Sequence, residues 1–174
     1  CLVGSEMCIR DRILIDQNQN ILATANSSLT VQSPKDGFSE QNPQEWIDST
    51  MKCFEALKLK KPNEFSQTVS LGISGHMHGA TLIDKDGNVI RPCILWNDTR
   101  SYQECEEFEK QNFDVRSISG NITMPGFTAP KINWNKNNEI DNFRKIFKVL
   151  LPKDYLRFVL TGEFFSEMSD ASGT

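Results

Sequence analysis

The chain has 174 residues, of which 19 are basic and 23 are acidic, so its formal net charge is −4. This balance, with charges of both signs interspersed and 38% hydrophobic residues, is typical of one globular domain or a piece of a larger protein, and it argues against a nucleic-acid binder. No apolar run approaches the roughly 20 residues of a membrane helix. The five cysteines form no Cys-x-x-Cys pair, which predicts a reducing, cytoplasmic compartment.

The first twelve residues differ in character from the rest of the chain. The chain begins with cysteine rather than methionine, and the run CLVGSEMCIRDR resembles a translated sequencing adapter. We therefore expect residues 1–12 to be a non-native segment outside the fold, and residues 13–174 to be a partial domain of a protein that continues further. The alternative is an authentic N-terminal strand, although Gly4, Ser5 and Glu6 interrupt any alternation.

Short apolar runs, turn-forming residues and amphipathic stretches follow one another along the chain, which predicts an α/β domain. Asn42 as N-cap and Pro43 at the first helical position mark the start of the longest helix. Asp86-Gly87 indicates a turn, and Gly162 indicates a helix C-cap. The predicted strands are residues 13–15, 21–31, 69–73, 80–83, 89–90 and 149–151, the predicted helices are 43–58, 101–110, 130–137, 140–146 and 153–160, and residues 120–130 are a loop.

Both histidines of the chain, His76 and His78, lie in a glycine-flanked segment directly after a predicted buried strand. Polar segments at the carboxyl ends of strands bind ligands in many α/β proteins, so this segment is the first candidate site. On an extended backbone the two imidazoles would lie on the same side, which suits a metal ion with Asp98 as a third ligand. Recognition of a ligand hydroxyl by one histidine, or a structural role for both, are the alternatives.

A second candidate site is the run LWNDTR at residues 95–100. An indole followed by short polar groups is typical of proteins that bind sugars. The structural alternative places Trp96 in the core, uses Asn97 or Thr99 as a helix cap, and pairs Asp98 with Arg100. A third segment, the Pro/Gly-containing run at residues 124–131, indicates only a loop when taken alone.

These three segments, in this order and spacing, resemble the N-terminal domain of the FGGY carbohydrate kinases, and most closely the bacterial xylulokinases within that family. The similarity covers about residues 13–174. The segments that carry it are ISGHMHGATL at 73–82, ILWND at 94–98, TMPGFTAPK at 123–131, LLPKDYLR at 150–157 and MSDASGT at 168–174.

The resemblance implies an actin-like, ribonuclease-H-like ATPase fold, of which this chain is a partial N-terminal domain. It implies transfer of the ATP γ-phosphoryl group to D-xylulose, with ATP and Mg²⁺ as cofactors of the full-length protein. A homodimer is a separate expectation, because the sequence itself does not give the oligomeric state. Met77 and His78 match the sugar-binding dipeptide of the family, which is Arg-Glu in glycerol kinases, and Trp96 matches a sugar-side aromatic. Gly126 falls where those relatives have a tyrosine, which leaves room for a larger sugar, and Asp98 is expected to accept two sugar hydroxyls.

The chain departs from the family pattern at both ends. Residues 1–12 occupy the place of the family's Asp-x-Gly-Thr strand, and the family's catalytic aspartate lies beyond Thr174. Phosphoryl transfer needs a base and neutralisation of phosphate charge, so we expect no catalytic residue in this chain and no activity from it alone. Three alternatives remain: a kinase of ribulose, fuculose or gluconate, a non-catalytic sugar-binding domain, and a metal hydrolase built on His76, His78 and Asp98.

Overall fold

The computed structural model describes residues 2–5, 9–110, 115–172 and 174, and the side chains of residues 11–110, 115–172 and 174. The strands are β1 Leu2–Ser5, β2 Ile9–Ile15, β3 Ile21–Ser28, β4 Glu40–Gln41, β5 Gly72–Ile73, β6 Thr81–Ile83, β7 Cys93–Ile94 and β8 Lys148–Leu150. The helices are α1 Pro43–Lys60, α2 Pro62–Ser66, α3 Tyr102–Glu109, α4 Val115–Ser119, α5 Thr128–Asn138, α6 Ile140–Phe143, α7 Pro152–Thr161 and α8 Met168–Ala171. Within that part of the chain, every helix is too short or too polar to cross a lipid bilayer.

The chain forms two compact units, one made of Cys1–Val31 with Gln44–His76 and the other of Gln32–Pro43 with Met77–Thr174. The first unit contains a four-stranded sheet in the order β3-β2-β1-β5, in which β2 is antiparallel to its neighbours and β5 is parallel to β1. Its core includes Leu14, Ala25, Cys53 and Leu57. The predicted hairpin is confirmed, and Asp16 closes its turn by accepting hydrogen bonds from the backbone N–H groups of Asn18 and Asn20.

The N-terminal segment differs from its prediction. Residues 2–5 and 9–12 lie in β1 and β2, because β1 pairs with β2 on one side and with β5 on the other. The Arg12 side chain is fully buried and donates a hydrogen bond to the Thr50 hydroxyl. The expectation that residues 1–12 lie outside the fold is therefore wrong for these residues, whereas Cys1 and residues 6–8 lie outside the described part. Backbone pairing needs no side-chain alternation, and the non-native origin of the segment stays a prediction.

The second unit contains two small antiparallel sheets, β4 with β7 and β6 with β8. Its fully buried side chains include Leu82, Ile83, Ile94, Leu95 and Leu156. The predicted helices at residues 101–110, 130–137 and 153–160 are confirmed as α3, α5 and α7, and the predicted C-cap of α7 is confirmed by the left-handed φ of +76° at Gly162.

Several predicted elements are wrong in extent. The predicted buried strand at 69–73 shrinks to β5, and Val69 is 98% exposed, since β5 has only the two-residue pairing with β1. Residues 89–90 contribute a single bridge between Val89 and Ile83 rather than a strand. Helix α6 ends at Phe143 rather than at Ile146, and α4 and α8 are unpredicted single-turn helices.

Candidate functional site

The two histidines occupy different environments. His76 belongs to the first unit and packs edge-on against Trp46, with 5.6 Å between ring centroids. His78 belongs to the second unit and packs against Phe127 at 4.8 Å. The backbone at His78 is left-handed, with a φ of +60°, so the extended conformation on which the paired-imidazole prediction rested is wrong.

The His78 imidazole is half-buried, and one of its two nitrogens lies in the interior. Burial lowers the pKa of His78 below its usual value, the nearby Lys131 cation lowers this pKa further, and the charge of Asp170 opposes both effects. The Nδ1 atom is buried and has no hydrogen-bond partner in the described part of the chain. A neutral imidazole carries one donor and one acceptor nitrogen, so a ligand hydroxyl that both donates and accepts suits it.

A buried lysine on α5 hydrogen-bonds to the backbone of two segments, the one that carries His78 and the loop that contains Gly126. The Lys131 side chain is fully buried, and its Nζ donates to the His78 carbonyl at 2.7 Å and to the Gly126 carbonyl at 2.6 Å. The Thr128 hydroxyl donates to the same His78 carbonyl at 3.2 Å. Burial is the main reason why the pKa of Lys131 falls to about 8.

The sequence alone assigns Lys131 no role beyond its place in the third segment. A lysine early in a helix is ordinarily a surface residue, and the buried positions of α5 include the polar residues Thr128, Lys131 and Asn135. The spacing of three and four residues places them on one helical face, but a polar face does not predict burial. The structure is needed to find this residue.

Gly126 brings the loop before α5 against the turn that carries Trp96. A Cβ atom at position 126 would lie 2.5 Å from the Trp96 carbonyl oxygen, closer than real Cβ contacts allow. Trp96 itself is 44% exposed and Met77 is 47% exposed, so the structural alternative that placed Trp96 in the core is wrong. The structure thus links the His78 and Gly126 backbones through Lys131 and places Gly126 against the Trp96 carbonyl, with the exposed Met77 next to His78 in the chain.

Asp98 is occupied by protein donors. Its carboxylate accepts hydrogen bonds from the Ser39 backbone N–H at 2.6 Å and from the Arg100 backbone N–H, Nε and Nη2 at 2.9, 2.9 and 2.7 Å. The residue is 1% exposed. Both oxygens are satisfied and shielded, so we withdraw the expectation that Asp98 accepts sugar hydroxyls in favour of the structural alternative, its pairing with Arg100.

Arg100 extends this pairing into a buried network. Its Nη2 lies 2.6 Å from a Glu40 carboxylate oxygen, and Glu40 also pairs with Arg91. The Arg100 guanidinium stacks over Phe38, 3.8 Å from the ring centroid, and lies 4.8 Å from the Trp134 centroid. This network fixes the turn that carries Trp96 to β4 and α5.

The metal-hydrolase interpretation finds no matching geometry. In the part of the chain that the structure describes, no three side chains of His, Cys, Asp or Glu lie close enough together to bind one metal ion. Asp98, the third ligand that this interpretation needs, is committed to Arg100.

The lowered pKa of Lys131 predicts how the stability of the chain depends on pH. The pKa is about 8 in the folded chain and 10.5 ordinarily, so between these values the unfolded chain binds more protons. The unfolding free energy of the chain, minus that of its Lys131→Met variant, should be constant below pH 8 and rise from about pH 8 to 10.5. Urea titrations of both proteins across this range measure the difference, in which other titrating groups cancel. Parallel pH profiles would contradict the lowered pKa.

Residues 9–174 match the sequence model described as the FGGY family of carbohydrate kinases, N-terminal domain, and the chain belongs to this family. Among curated relatives, the chain is 48% identical to the xylulose kinase of Escherichia coli (strain K12) and 46% identical to that of Klebsiella pneumoniae. Each alignment covers 93% of this chain and 33% of the relative, so the chain spans about a third of the length of these proteins.

Solved structures agree with this assignment. The crystal structure of a xyloylose kinase from Brucella ovis superposes with a TM-score of 0.96 at 50% identity, covering 99% of this chain and 36% of that one. A gluconate kinase from Lactobacillus acidophilus has a TM-score of 0.91 at 20% identity, covering 99% of this chain and 35% of that one, which shows the shared fold alone. The predicted family and its kinase N-terminal fold are confirmed.

Proposed function

We propose that the protein containing this chain transfers the γ-phosphoryl group of ATP to D-xylulose, and that this chain supplies part of its sugar-binding surface. The relatives that share almost half of the sequence are named as xylulose kinases, which supports the substrate. The observation that carries the proposal is the His78 imidazole, which is partly exposed next to the exposed Met77 and whose pKa is lowered by burial and by the Lys131 cation. A sugar hydroxyl would hydrogen-bond to this ring.

The proposed sugar-binding residues are Met77, His78, Trp96 and Gly126. Exposed faces of Met77 and Trp96 suit the C–H surface of a sugar, while His78 hydrogen-bonds a hydroxyl. The packing of Phe127 against the His78 ring restricts the orientation of the imidazole. Because Asp98 is saturated, hydroxyl recognition from this side depends on His78.

The chemical step needs a general base and groups that neutralise the charge of the phosphates. A magnesium ion in such a site is usually held by one or two carboxylates, by water and by the phosphates of the substrate. This chain spans about a third of the length of its relatives, and we propose that the general base and the ATP and Mg²⁺ contacts belong to the rest of the protein. A cytoplasmic location is proposed from the cysteine usage, and a homodimer stays a prediction.

The proposal is tested by replacing His78 with alanine in the full-length protein. Loss of one hydrogen bond to a sugar hydroxyl costs about 1–3 kcal/mol, so the KM for D-xylulose should rise roughly 5- to 150-fold. Hydrolysis of ATP without sugar should be unchanged, because His78 contacts no nucleotide in this proposal. Steady-state kinetics with D-xylulose and ATP varied in turn measure both effects.

An exposed substitution in the same unit, Glu106→Ala, serves as the control and should leave both kinetic constants unchanged. Unaltered D-xylulose kinetics in the His78 variant would remove His78 from the site. A wild-type protein that phosphorylates gluconate, ribulose or fuculose but not D-xylulose would overturn the proposal that D-xylulose is the substrate. Sugar binding without any phosphorylation would favour the non-catalytic alternative.

A further inference from the structure

We propose that Lys131 is a positioning residue for the sugar site, holding the His78 backbone in the conformation that presents the imidazole to the sugar. The proposal rests on the proposed function. It concerns a residue that contacts the backbone of the site rather than the substrate.

The first support is the set of atoms that Lys131 joins. Its Nζ lies 2.7 Å from the His78 carbonyl oxygen and 2.6 Å from the Gly126 carbonyl oxygen. Gly126 in turn lies against the Trp96 carbonyl, so one side chain links the segments that carry the three proposed sugar-site residues. A displacement of Lys131 would therefore move His78 and Trp96 relative to each other.

The second support is the backbone conformation at His78. A φ of +60° is unfavourable for a non-glycine residue and persists only where surrounding contacts impose it. The His78 carbonyl receives two donors, the Lys131 ammonium and the Thr128 hydroxyl. On the following residue, Gly79, a Cβ would lie 2.5 Å from the Pro152 ring, so the chain is confined there as well.

The third support is the cost of burying this lysine. Buried lysines are rare unless they are paired, and an ammonium removed from water needs strong compensation. Lys131 is fully buried, and burial lowers its pKa by more than the charge of Asp98 raises it. Its hydrogen bonds to His78 and Gly126 go to backbone carbonyls of the site, which is a role that a hydrophobic residue could not fill. A neutral amine retains two N–H donors, so both bonds survive deprotonation.

The test replaces Lys131 with methionine in the full-length protein. Methionine is one atom shorter than lysine but fills most of the same space, and it removes the ammonium that makes both hydrogen bonds, so the left-handed conformation at His78 loses its main support. We expect the KM for D-xylulose to rise about tenfold while the KM for ATP and sugar-independent ATP hydrolysis stay within about twofold of wild type. Lys136→Met, an exposed lysine on the same helix, should change none of these values.

A milder variant keeps the proposal testable if Lys131→Met fails to fold. Thr128→Val removes only the second donor to the His78 carbonyl and should raise the KM for D-xylulose about threefold. A crystal structure of either variant in which φ at His78 leaves the left-handed region supports positioning by these donors. Such a structure would do so even if the wild-type protein did not phosphorylate D-xylulose, an outcome that would defeat the proposed function alone.

Two results would overturn the positioning role. One is an unchanged KM for D-xylulose in a well-folded Lys131→Met protein that still phosphorylates this sugar. The other is an equal rise in the KM values for D-xylulose and ATP together with a lowered melting temperature, which would show that Lys131 acts only through general stability.

Discussion

Replacement of Asp98 by alanine is expected to destabilise the second unit by about 3–5 kcal/mol, because it leaves a buried charge without its main partner. The Arg100 side chain is 1% exposed and makes its bidentate contact with Asp98, at 2.9 and 2.7 Å. Without Asp98, the Glu40 carboxylate is the one ion-pair partner that the guanidinium keeps among the described residues, and Arg91 shares it. The Ser39 backbone N–H also loses its acceptor. Urea unfolding of the wild-type and variant chains measures the loss.

Two further variants separate charge from hydrogen bonding. Asp98→Asn keeps one acceptor oxygen but removes the negative charge. Its unfolding free energy should therefore lie between those of the wild type and of Asp98→Ala. Glu106→Ala removes an exposed carboxylate that pairs with Lys110 on the surface of α3, and should change stability by less than about 0.5 kcal/mol. A loss below about 1 kcal/mol for Asp98→Ala would show that the buried network is not what stabilises this turn.

Elements with strong local signals could be predicted from the sequence. The helix that begins at Pro43 follows an asparagine suited to the N-cap, and the hairpin between β2 and β3 surrounds a run of turn formers. Gly162 ends α7 in the left-handed conformation that glycine favours. In each case the decisive contacts lie within a few residues, so the sequence alone contains the information.

Elements that depend on distant partners could not be predicted in the same way. Val69 belongs to an apolar run that resembles a buried strand, but only the two residues of β5 find a partner in β1. The β1 strand has no side-chain alternation, and its place in the sheet is set by backbone pairing with β2 and β5.

The candidate site shows the same division. Family resemblance pointed to His78, Trp96 and Gly126, and the structure brings these residues together through shared backbone contacts. The left-handed backbone of His78 could not be foreseen, because this conformation is uncommon for any non-glycine residue, although histidine adopts it more often than most. Asp98 looked equally suited to a sugar and to Arg100, and only the observed donors around its carboxylate decide between these roles.

Alanine at position 126 is expected to cost about 1–3 kcal/mol of unfolding free energy and to weaken sugar binding. The new Cβ would lie 2.5 Å from the Trp96 carbonyl oxygen, a backbone atom that cannot rotate away. The loop or the turn must therefore shift, and either movement strains the hydrogen bond from Lys131 to the Gly126 carbonyl. Urea unfolding measures the first effect, and the KM for D-xylulose in the full-length protein measures the second.

This substitution also separates two explanations for the glycine. If Gly126 only leaves room for a larger sugar, Gly126→Ala should raise the KM for D-xylulose but leave the unfolding free energy of the unliganded chain unchanged. If the glycine permits the close approach to Trp96, both quantities should change. Gly120→Ala is the control: a Cβ at this position would have no atom within 4 Å, and its φ is +71°, so it carries only the left-handed penalty of about 1–2 kcal/mol, with no effect on the KM. Because the obstructing atom belongs to the backbone of Trp96, we expect close approach to explain the glycine.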